Sequence, residues 1–233
     1  MRNTLGNEKK LQERLEIIEY GMNNVPEELL AFIDENPNIR EDYLIHAKED
    51  PINLRSLFYL NYSLGENLDN CFGYYLNWLK NYSKQYDPKN GYGWFELFDV
   101  LAIGICYKPR LNDFKEYIID LINKTNIKDD YLLNEFYFYL FEKKISNPTS
   151  YKIKYAEKIF KEKNADIIRI ILNSEWYNFH KEAYWYNADK ADNNIYEGYW
   201  AFDIAAIAKI LGIDDSKLKD VPYYPYDLVH YCD

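Results

Sequence analysis

His46, His180 and His230 are the only imidazoles in the chain, and Cys71, Cys106 and Cys232 its only thiols. Acid–base or metal chemistry would draw first on such groups. Their spacing gives it little support. No HExxH, GxSxG, phosphate-loop or paired CxxC motif occurs. An H…D…D grouping can be assembled from His180, Asp189 and His230, although nothing in their spacing points to a metal. Glu197 and Asp203 make a conceivable carboxylate pair, but they straddle a loop and a helix start. GYGW at 91–94 and GYW at 198–200 have neither the glycine pattern nor the lysine of a phosphate loop. The cysteines are odd in number and widely spaced, which fits neither a disulfide framework nor a zinc site. Cys71 and Cys106 fall in apolar helical patterns and read as core. The expectation is therefore no catalysis, no metal and no cofactor.

Acids and tyrosines are more informative than histidines. The segment NADKADNNIYEG, 187–198, bears Asp189, Asp192 and Glu197 with only Lys190 to offset them. Asp214, Asp215 and Asp220 follow, and then Tyr223, Tyr224 and Tyr226. If these acids share a face, they form a negative patch with an aromatic rim. The plain alternatives are a solvated loop and a tail that lies along the body to cover its rings. Net charge is −10, and residues 183–233 hold nine acids against four bases. Residues 1–110 hold 17 against 12, and residues 111–182 are balanced at 12 each. Such a chain is ill-suited to the phosphate backbone of a nucleic acid and better suited to a basic partner.

The elements that would position these residues read as helices. Leu11, Leu15, Ile18 and Met22 recur at helical spacing, and Pro26-Glu27-Glu28 suits the first turn of a second helix. Further helices are expected over 52–65, 68–86, 94–107, 111–122, from Asp130 to Phe141, over 151–163 and over 165–177, with a turn at 87–93. In WAFDIAAIAKIL, 200–211, the residues Trp200, Ile204, Ala205, Ala208 and Leu211 mark a packed core helix, and Gly212 suits its left-handed cap. Asp203 sits beside that apolar stripe in the first turn, either as a helix-start charge or as a partner contact. The terminal VPYYPYDLVHY should not be helical before Pro225. Strand alternation is scarce. The fold class expected is all-α, roughly ten helices, with an N-terminal region 1–125 and a C-terminal region 126–233 in one or two compact bodies. At 233 residues the chain can bury a core without a metal or disulfide. The N-terminus shows no apolar signal region and no apolar run reaches spanning length, so a cytoplasmic protein without membrane contact is expected.

The run YWYNADKADNNIYEGYWAFDIAAIAKILGIDDSKLKDVPYYPYDLVH, 184–230, resembles the PoNi-like immunity proteins, the protective partners of PoNe-type DNase toxins. YEGYWAFDIAAIAKILGIDD, 196–215, and YYPYDL, 223–228, carry most of the likeness. A weaker similarity spans RSLFYLNYSLGENLD, 55–69, through VLAIGIC, 100–106. Asp203 departs from the family pattern, which more usually shows glutamate there. The resemblance implies an all-α, non-enzymatic protein that binds and inhibits a cognate secreted DNase toxin. The acids Asp189, Asp192, Glu197, Asp214, Asp215 and Asp220 are then candidate contacts, with Tyr223, Tyr224 and Tyr226 as anchors. Self-association stays open. Two other readings are a metal-dependent helical-bundle hydrolase and a helical adaptor for another basic protein.

Overall fold

The structure is a computed structural model that describes residues 2, 8–34, 37–89, 94–192 and 194–232, with only the backbone described at 31–34, 37–38 and 94. The glycine run expected in the 87–93 turn, and most of GYGW, lie outside the described residues. Among those described there are thirteen α-helices and no strand, as the all-α expectation requires. The helices outnumber the roughly ten expected, because the segment 165–177 is split at Glu175 and the helices Pro37–Glu49 and Tyr226–Val229 have no predicted counterpart.

The chain forms two compact units. One comprises residues 1–85 and 187–198, the other residues 86–186 and 199–233. These packing units are not the regions 1–125 and 126–233 drawn from the sequence.

The first unit contains α1 (Glu8–Asn23), α2 (Glu27–Asp34), α3 (Pro37–Glu49), α4 (Pro51–Leu64) and α5 (Leu68–Gln85). In α1 the 3.6-residue period turns Leu11, Ile18 and Met22 inward. α4 starts on an Asp50 cap, whose carboxylate accepts from the Ile52 amide, with Pro51 at the first helical position. It stops at Gly65, at φ 96°, where a side chain would strain the backbone. α4 packs against α1 and α5, and α3 packs against α1, α2 and α4. Phe58, Tyr62, Tyr75 and Trp78 fill the α4–α5 core.

The second unit contains α6 (Trp94–Cys106), α7 (Lys115–Lys124), α8 (Tyr131–Phe141), α9 (Lys154–Glu162), α10 (Ala165–Ser174), α11 (Trp176–Phe179), α12 (Phe202–Leu211) and α13 (Tyr226–Val229). Asp130 caps α8 through the Leu133 amide at 2.9 Å, and its second oxygen takes the Lys152 amide. Burial still raises its pKa above the ordinary carboxylate value, against the pull of those amides. α12 is the hub of this unit, packing on α6, α8, α9 and α13. Its residues from Phe202 to Ala208 are all buried. The alanines Ala205, Ala206 and Ala208 leave room for helices on several sides. Gly212 closes α12 at φ 60°.

Candidate functional site

The motif that contains the candidate residues divides between the two units, and its acids divide between interior and surface. Glu197 lies on the segment 187–198 within the first unit, only 4% exposed. Its Oε1 accepts from Ser56 Oγ at 2.6 Å and from Arg14 Nη2 at 3.3 Å. Arg55 Nη2 stands 3.8 Å from Oε2, and Ser63 Oγ donates to the Glu197 carbonyl at 2.8 Å. Lys10 Nζ holds the same segment nine residues from its end, on the Asp189 carbonyl at 2.9 Å. A buried carboxylate survives only with such compensation. Glu197 is therefore a fastening inside the unit and is not displayed at the surface. The signal for it lies in α4, where Arg55, Ser56 and Ser63 are buried among the apolar side chains of the helix.

In the second unit Asp203 occupies the first turn of α12, 4% exposed. Tyr155 Oη donates to its Oδ2, and Trp176 Nε1 donates to Oδ1 at 3.3 Å. Burial and the Asp203 charge hold the Tyr155 phenol well above its ordinary pKa, so it stays a donor. Burial lowers the pKa of nearby His180, while the Asp203 charge pulls the other way. His180 Nδ1 meets the Trp176 carbonyl at 2.8 Å, and the imidazole packs among the rings of Phe95, Trp176 and Trp185.

Asp215 is also 4% exposed. It accepts from Tyr224 Oη at 2.7 Å and pairs with His230 Nε2 at 2.9 Å. Burial and the Asp215 carboxylate push the Tyr224 phenol far up, which keeps it protonated. The Ala201 amide donates to the Tyr223 carbonyl at 2.8 Å, and Lys209 Nζ donates to the Val229 carbonyl. The tail 223–231 is thus laced to both ends of α12. Tyr223 takes a left-handed φ of 72°, unusual for a tyrosine, and its ring stacks on Trp176 and Tyr177. Tyr224 is buried, and Tyr223 and Tyr226 are half-buried.

Asp192, Asp214 and Asp220 are exposed and Asp189 is half-buried. Of the motif residues read as core, Trp200, Ile204, Ala205 and Ala208 are buried, while Leu211 is partly exposed. Among the described residues no cluster of three or more His, Cys, Asp or Glu is gathered as metal ligands would be. No helix among them is long and apolar enough to cross a membrane.

A larger acidic surplus lies elsewhere in the sequence. Residues 8–50 carry 12 acids against 5 bases. Two of those bases, Lys10 and Arg14, turn to the 187–198 segment. The imbalance was diluted in the sequence by averaging over residues 1–110.

The crystal structure of protein PA2201 from Pseudomonas aeruginosa is similar in fold, with a TM-score of 0.66 and 16% identity. The likeness covers 99% of this chain and 89% of that one, and it speaks to the fold alone. No curated protein matches the chain. The family model described as PoNe immunity proteins (PoNi), C-terminal, matches residues 128–228, a span that holds Asp203, Asp215 and the laced tail. Over those residues the resemblance read from the sequence is borne out: they match the C-terminal domain of the PoNe immunity proteins.

Proposed function

We propose that this protein is a cytoplasmic immunity protein that binds a cognate DNase toxin and covers its cationic DNA-binding or active site. The observation that carries the reading is the family match over residues 128–228. A nuclease must present positive charge to the DNA backbone. A protein of net charge −10 is suited to that surface without any chemistry of its own. The acids with saturated partner sets, Glu197, Asp203 and Asp215, serve the fold in this reading.

The test is co-expression with PoNe-type toxin domains, paired with plasmid degradation by the purified toxin. The expected outcome is survival of the cells and inhibition that saturates near one equivalent. Continued DNA degradation in the presence of a folded excess would overturn the reading. Inactivation of many toxin molecules by each copy would show a catalyst instead of a stoichiometric blocker.

A further inference from the structure

We infer that the outward face of α1, α2 and α3 docks a basic protein partner and, resting on the function just proposed, that the partner is the cationic surface of the toxin's nuclease domain. α1 turns Leu11, Ile18 and Met22 inward, so Glu13, Glu16, Ile17 and Tyr20 follow the i, i+3, i+4, i+7 stripe on its opposite side. Tyr20 is 66% exposed and Ile17 52%. On the neighbouring helices Leu29 of α2 and Ile45 of α3 are also exposed, at 40% and 46%. α3 packs against both α1 and α2, so these exposed residues stand on neighbouring helices. A lone exposed apolar residue is ordinary; several on adjoining helices mark an interaction surface.

Charge selects the occupant. Nine acids between Glu8 and Glu49 are exposed, against Lys9, Arg40 and Lys48 among the bases. Arg14 is bound to Glu197 and Lys10 to the Asp189 carbonyl, so their positive charge is directed away from this face. A second copy of the chain would bring the same negative field against itself. On α1 a cationic partner finds Ile17 and Tyr20 beside Glu13 and Glu16, apolar anchors flanked by opposite charge as in a hot spot within a polar rim, whereas Ile45 on α3 lies with Arg40 and Lys48.

The probe is the purified, catalytically inactivated domain of whichever PoNe-type toxin the wild-type protein neutralises. Binding is measured for Glu13→Lys/Glu16→Lys, for Ile17→Ser/Tyr20→Ala, and for Asp214→Lys/Asp220→Lys as the contrasting surface. The first pair is expected to slow association and weaken affinity about tenfold or more, with a flatter salt dependence. The second pair is expected to speed dissociation by a similar factor. All three variants should keep the wild-type melting temperature, since every residue changed is exposed. Wild-type affinity in both α1 variants, with a loss in Asp214→Lys/Asp220→Lys, would overturn the docking face and leave the immunity function standing. A dimer of the free protein that Ile17→Ser/Tyr20→Ala dissolves would give the face to self-association and overturn it too. Failure of the wild type to neutralise any such toxin would sink the functional reading, and this inference with it.

Discussion

His180 shows how one buried residue can set the pH response of a helical protein. Its ring sits among aromatic side chains, and burial lowers its pKa from the ordinary histidine value. In the native state it stays neutral while the unfolded chain takes up a proton below about pH 6.5. The unfolded state then binds more protons, so stability falls as pH drops through that value and is fully present above it. Chemical denaturation from pH 7.5 to 5.5 should show this decline, and His180→Phe should flatten it. An equal slope in both proteins would remove His180 from the account. Asp130, with its raised pKa, acts in the opposite sense. At this scale the sequence was legible in kind but not in placement. Glu197 reads as a loop charge because it follows the polar run 187–194, and Asp215 because it lies beside Asp214, Ser216 and Lys217. Their burial depends on partners such as Ser56, 141 residues away from Glu197, which no local pattern reveals.

At the scale of elements, helical periodicity was the strongest signal. The Asp130 cap, the Gly65 and Gly212 stops and the irregular chain before Pro225 all appear where residue chemistry places them. α3 escaped notice, because PNIREDYLIHAKE has no regular apolar stripe and from Ile39 to Glu49 buries no residue fully. Its lack of a core face is the same property that leaves Ile45 at the surface. The segment 187–198 reads in the sequence as an acid-bearing loop with candidate partner contacts, or more plainly as a solvated loop, and in the structure it is bound into the first unit through Glu197. Glu197→Ala would remove the buried carboxylate that Ser56, Arg14 and Arg55, itself 7% exposed, meet in the interior. The expected loss is about 3–5 kcal/mol of unfolding free energy, the usual cost of breaking a buried ion pair by removing one partner. Urea unfolding would measure it, and a loss below about 0.5 kcal/mol would place Glu197 outside the framework.

For the whole molecule, stability rests on apolar packing and helix caps. Cys71, Cys106 and Cys232 are free thiols, and among the described residues no metal-ligand cluster is present. Treatment with dithiothreitol and EDTA should therefore leave the melting temperature within about 1 °C, far below the shift that loss of a structural disulfide or metal produces. A drop of ten degrees in thermal unfolding would mean that a covalent or metal constraint holds the fold. Composition exposed the global charge of −10, but not its location. The C-terminal acids drew attention by their proximity to the family motif, while the longer run of acids between Glu8 and Asp50 was averaged away.

The fastening of 187–198 to Arg14, Arg55 and Ser56 also bears on how such chains can diverge. A crossover between two relatives near residue 126 would join one parent's α1 and α4 to the other parent's strap. Glu197 and its receiving side chains would then come from different ancestors, and a mismatch would leave charge stranded in the interior. Shuffling of the two halves is thus restricted to parents that keep both sides of this contact, whereas exposed helix faces are free to drift. Inheritance in this protein follows the thread of the strap more closely than the order of residues along the chain.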